Sequence, residues 1–200
     1  KLWSNIYNQK VKKVKVNQLK EFNYKLLNNI LPCGYWLNKW KKSIGEKCEF
    51  CNETETIQHM LYSCPRVKEM WNSISFILKC NISWKNIVCG WPLYDNHSKI
   101  LSYNFIITIV CCAIFRLNSK CKFNSEDYSA VQLNRDICKN IYSYSSLHKY
   151  VVYDSTFFFF CDRIIDILMW YWYRIDVLDV ILCYLGIVSL YCTLQWWVQF

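Results

Sequence analysis

The chain has 200 residues, with 24 Lys and Arg against 15 Asp and Glu, and it carries 13 Cys but only four Gly. An odd number of thiols and no visible secretory leader argue for a reduced, intracellular setting rather than a disulfide framework. So few glycines leave no phosphate-cradling loop, and no adjacent Asp pair is present to hold two catalytic metal ions.

The charge sits at the front. Residues 1–42 hold ten Lys and one Glu, which suits an anionic partner such as nucleic acid or an acidic membrane surface, although a solvated Lys-rich face reads the same way. The run KVKKVKV ending at Val16 is expected to form a short strand or an extended basic arm. Residues 17–31 predict an amphipathic helix, because Leu19, Phe22, Leu26, Leu27 and Ile30 recur at three- and four-residue steps. Pro32 and Gly34 are expected to end it. Trp36 and Trp40 then stand four apart, interleaved with Lys39, Lys41 and Lys42. They either pack inward or offer bases a stacking platform, and core packing is the commoner fate of such a pair. Lys12, Lys13, Lys15, Lys39, Lys41 and Lys42 are the candidate phosphate contacts.

Residues 48–64 read CEFCNETETIQHMLYSC, a C-x2-C-x7-H-x4-C arrangement of Cys48, Cys51, His59 and Cys64. Three thiols and one imidazole form the ligand set of a closed, structural zinc site. The two-residue gap lets Cys48 and Cys51 grip one ion from a single turn, and a short helix can return the other pair. Asn52 is expected to N-cap that helix with Glu55 as capping-box partner. Cys33 is a competing thiol, and Lys47 beside Cys48 is expected to favour the thiolates. Four protein ligands leave no position for substrate water, so no catalytic residue is assigned.

Pro65 opens a helix to about Lys79, with Val67, Met70, Trp71, Ile74, Phe76, Ile77 and Leu78 on a wide apolar face and Trp71 set to pack on the zinc module. A loop is expected over 81–96. A long helix follows over about 98–117, with Ile100, Leu101, Phe105, Thr108, Cys112 and Phe115 on one face. Ser125, Glu126 and Asp127 mark a further helix start, reaching about residue 142. Cys80, Cys89, Cys111, Cys112, Cys121 and Cys138 read as small apolar packing residues, and His97 and His148 lack ligand spacing.

Residues 22–71 resemble the zinc-binding segment at the C-terminal end of non-LTR, LINE-type retrotransposon endonuclease-reverse transcriptases. The likeness rests on Leu26, Leu27, Ile30, Leu31, Pro32, Leu37, Lys39, Trp40 and Lys41, then Cys48, Cys51, Glu55, Thr56, His59, Cys64 and Trp71. Residues 88–93 and 104–123 look like the weaker helical remainder of such regions. Cys33 departs from the family, which more usually has a small polar residue there. The resemblance implies bound zinc, an RNA template or target DNA as partner, and polymerase and endonuclease domains upstream of Lys1. It also implies a nuclear location for a functional product.

From Thr156 to Phe200 there is no Lys, Asn or Glu, and residues 180–200 run 21 positions without a charge. That length can cross a bilayer, and Trp196 and Trp197 would suit its interface. The tail reads as a membrane anchor, a buried helix, or read-through from a degraded element whose apolar runs are an aggregation hazard. The expected fold is therefore mainly α, a small zinc-stapled helical module followed by further helices and a hydrophobic C-terminal tail. Its segments are 1–47, 48–80, 81–155 and 156–200. The expected function is a non-catalytic module that binds zinc and nucleic acid in support of reverse transcription and target-primed integration. A membrane-tethered zinc adaptor for protein interaction, or a non-functional retroelement relic, are the alternatives.

Overall fold

The computed structural model describes residues 2–41, 44–91, 97–124 and 127–148. The expectations placed on Lys42, Ser125, Glu126 and the tail from Thr156 lie outside those residues. The described part is mainly helical, with no strand and one isolated bridge between Lys47 and Thr54.

The expected basic strand or arm is helical only at its start: residues 10–12 belong to a widened turn, and residues 13–16 lie in no helix or strand. Helix α1 (Leu2–Tyr7) runs into a widened turn over Asn8–Lys12. Val11, inside that turn, and Val14, just past its end, are both buried. Helix α2 (Asn17–Leu27) buries Leu19, Phe22, Leu26 and Leu27 as its periodicity requires. It stops before Pro32 because Asn29 turns left-handed at φ 56°, a conformation Asn tolerates, and Ile30 is left exposed. Helix α3 (Gly34–Trp40) follows directly.

Helix α4 (Pro65–Leu78) starts with Pro at its first turn, where a missing N–H costs nothing, and ends at Lys79 in the left-handed region. It buries Val67, Met70, Trp71, Ile74, Ile77 and Leu78 but leaves Phe76 exposed. The segment expected to be a loop holds a short helix, α5 (Trp84–Cys89), nucleated by a capping box in which Ser83 and Asn86 satisfy each other's backbone N–H groups. Gly90 ends it at φ 76°, and a Cβ there would come within 2.8 Å of Asn104 Oδ1.

Helix α6 (His97–Asn124) is longer than expected and is wrapped rather than one-faced. Every residue from Ser102 to Ile114 is buried. By length and apolarity Ile100–Asn124 would cross a membrane, but 78% of its most apolar window is buried inside the protein, which marks it as a core helix. Around it pack α2, α5, the His59–Ser63 segment and helix α7 (Ala130–His148). Helix α7 starts five residues after Ser125, where its start was expected, and is capped by the Ser129 hydroxyl, which accepts from the Gln132 N–H at 3.2 Å. Asp127 is drawn away instead to Arg66. A single buried cluster runs from Val14 to Tyr144, and Cys111, Cys112, Cys121 and Cys138 serve it as apolar packing residues.

Candidate metal centre

Cys48 and Cys51 lie on a tight turn whose backbone closes on itself. The Asn52 N–H donates to the Cys48 carbonyl at 2.8 Å, and the Cys48 N–H to the Glu53 carbonyl at 2.7 Å. Asn52 is in the left-handed region at φ 62°, so it forms the turn and caps no helix. The cap belongs to Thr56, whose hydroxyl accepts from the His59 N–H at 3.0 Å.

The helix that follows widens over His59–Ser63, where the Cys64 N–H reaches back to the His59 carbonyl at 3.0 Å. In α-helical geometry five residues would leave His59 and Cys64 about 140° apart. The widened turn brings them round to one side. Residue spacing had placed both ligands here, but nothing in the composition of HMLYS signals the extra residue in the turn.

The four ligand atoms lie within 4.8 Å of one another, and among the described residues no other thiol, Cys33 included, belongs to the group. Cys48 Sγ is 3.9 Å from Cys64 Sγ, and Cys51 Sγ is 3.2 Å from His59 Nε2. A tetrahedron with zinc–sulfur bonds of about 2.3 Å has sulfur–sulfur edges of about 3.8 Å, so the donor set fits zinc in both chemistry and size. Cys48, Cys51, His59 and Cys64 would hold the ion, which supplies cross-linking rather than reaction.

The protons on the cluster are shared unevenly. The Cys64 thiol donates to Cys48 and holds it down near 4, and the same bond raises Cys64. Burial raises Cys51. Lys47 is exposed, and its backbone pairs with Thr54. An ion entering the site displaces the remaining thiol protons, so its affinity falls in acid.

Two carboxylates near the site were not assigned their observed roles by spacing. Glu53 Oε2 lies 3.3 Å from His59 Nδ1, the ring nitrogen opposite the ligand atom, and so fixes the orientation of the imidazole. Glu55 is only 1% exposed and serves α3 rather than its own helix. Its Oε1 accepts from the Gly34 N–H at 2.7 Å, and its carbonyl accepts from the Tyr35 N–H at 3.1 Å. Lys122 Nζ, on α6, balances the charge at 3.3 Å from Oε2.

Arg66 locks the other flank. Its guanidinium lies 4.6 Å from the Phe50 ring centroid and 4.3 Å from that of Tyr128, and its Nη2 donates to Asp127 at 2.6 Å. Trp71 packs on the module as expected, with its indole N–H donating to the Leu61 carbonyl at 2.8 Å. Five of the six candidate lysines are described, and Lys12, Lys13, Lys15, Lys39 and Lys41 are all exposed. Trp36 is half-buried against the core while Trp40 is exposed, so only one of the pair packs inward.

Residues 1–71 match the family described as zinc-binding in reverse transcriptase. No curated protein and no solved structure matches the chain.

Proposed function

We propose that this chain, whose residues 1–71 carry the zinc-binding segment of reverse transcriptases, is a non-catalytic module that holds RNA template or target DNA for a retrotransposon polymerase. The observation that carries this reading is the closed Cys48–Cys51–His59–Cys64 set, which staples a lysine-rich segment without leaving a coordination position for reaction chemistry. Lys12, Lys13, Lys15, Lys39 and Lys41 lie exposed on the surface. The polymerase domain of a parent protein and a nuclear location belong to the same proposal.

The metal assignment is tested by elemental analysis of the Cys51→Ser chain. Loss of stoichiometric zinc is expected, and full retention would refute the ligand set. Nucleic-acid binding is tested by titrating salt. Each phosphate contact releases counterions, so affinity should fall linearly on a log–log plot, with a slope reduced by about one for each lysine neutralised.

The uncharged run at 180–200 favours a second reading, a membrane-tethered zinc adaptor for a protein partner. Deleting residues 157–200 leaves nucleic-acid binding intact under the first reading and abolishes membrane association under the second.

A further inference from the structure

We propose that the exposed end of α3 is a stacking seat for an unpaired base, so that the nucleic acid held here is single-stranded. The inference rests on the nucleic-acid reading above and narrows it. Trp40 is 62% exposed, although an indole is among the most rewarding side chains to bury. Beneath it lies Trp36, with ring centroids 6.2 Å apart and planes only 21° from parallel. Trp36 is in turn half-buried and braced edge-on by Tyr35 at 5.3 Å. The arrangement is a short aromatic ladder, founded on the core and ending in an indole that solvent reaches.

The cations beside the ladder decide the occupant. Lys39 Nζ stands 4.5 Å from the Tyr35 centroid and 5.1 Å from that of Trp36, so a positive charge is held against the ring stack. Lys41 follows Trp40 and is exposed. An apolar helix of a protein partner would have to cover these ammonium groups. A nucleotide satisfies both halves at once, its base continuing the ladder and its phosphate meeting a lysine. A duplex hides its base faces in its own stack, so only an unpaired strand can use the seat.

The ladder is also rigid. Helix α3 is short, but Glu55 caps its first two N–H groups from the metal-binding turn, and a Cβ at Gly34 would meet Glu46, Lys122 and Glu55 at 3.0–3.1 Å. The helix therefore has one position against the turn, and presenting Trp40 costs little further ordering.

The test uses the full zinc-loaded chain and fluorescently labelled oligo(dT), oligo(U), an abasic strand of equal charge, and a duplex. Oligo(dT) and oligo(U) are expected to bind about tenfold more tightly than the abasic strand. Trp40→Ala should erase that preference, Trp40→Phe should restore part of it, and the salt slope and zinc content should stay as in the wild type. Equal binding of the base-bearing and abasic strands by the wild type, or a preference that survives in Trp40→Ala, overturns the seat while leaving the phosphate-binding reading intact. No salt-dependent binding of any strand overturns both. A difference between oligo(dT) and oligo(U) that Trp40→Ala removes also supports the seat.

Discussion

Lys10 is 1% exposed, and its ammonium has no hydrogen-bond partner among the described residues. The thiols of Cys111 and Cys89 act on it electrostatically. Burial raises Cys111 to about 12, so that thiol is neutral and offers no counter-charge. Desolvation lowers Lys10 from 10.5 to about 8. A lysine whose folded value lies below its unfolded one opposes folding at every pH below the folded value. The penalty fades as pH rises from about 8 towards 10.5, because over that range the unfolded chain binds the extra proton. At pH 7 the shift corresponds to about 3 kcal/mol. Lys10→Met keeps the stem and removes the charge. It is expected to raise stability in urea by about 1–3 kcal/mol at pH 7, with the gain over wild type shrinking as pH approaches 10. An unchanged difference between pH 7 and pH 10 would place the ammonium in water.

Helix α3 depends on a residue 21 positions downstream of its first turn. The Glu55 carboxylate and carbonyl satisfy two N–H groups that a helix start otherwise leaves unpaired, and its charge lies at the favourable end of the helix. Lys122 completes the contact with a side chain only 5% exposed. Glu55→Ala would leave the Gly34 N–H unpaired and the nearly buried Lys122 ammonium without its counter-charge, keeping only the Lys47 carbonyl at 3.3 Å. It is expected to cost about 3 kcal/mol of urea stability while zinc remains stoichiometric. The metal ligands were legible because coordination depends on a few residue types at fixed short spacings. Asn52 followed by Glu55 has the spacing of a capping box, so local pattern assigned Glu55 to the wrong helix. The competing partner at Gly34 becomes visible only once the chain has folded back. Helix α6 misled for a different reason. Its run NFIITIVCCAIF sets apolar residues all round the helix, with Asn104 and Thr108 buried among them, so choosing one face underestimated how completely other elements enclose it.

Enclosure of α6 changes what zinc does for the whole molecule. A metal-binding segment that stood alone would need the ion in place of a core. Here the buried cluster joins Val14, Leu61 and Trp71 to Ile106, Ile114 and Ile141, and the ligand-bearing segment His59–Ser63 packs directly on α6. Arg66 and Glu55 extend the same connection to Asp127, Tyr128 and Lys122. The ion therefore stabilises a unit that reaches well beyond the 71 matched residues. A ligand that binds only the folded state at 100 times its Kd adds about 2.7 kcal/mol, and that gain is shared by every element unfolding with it. Removing zinc with a strong chelator should consequently reduce amide protection in residues 46–64, in α3 and α4, and in the half of α6 that carries Cys121 and Lys122. The expected readout is hydrogen exchange showing these segments losing protection together. If loss were confined to 46–64, the helical core would be standing without the metal, and the clamps at Arg66 and Glu55 would be too weak to couple the two.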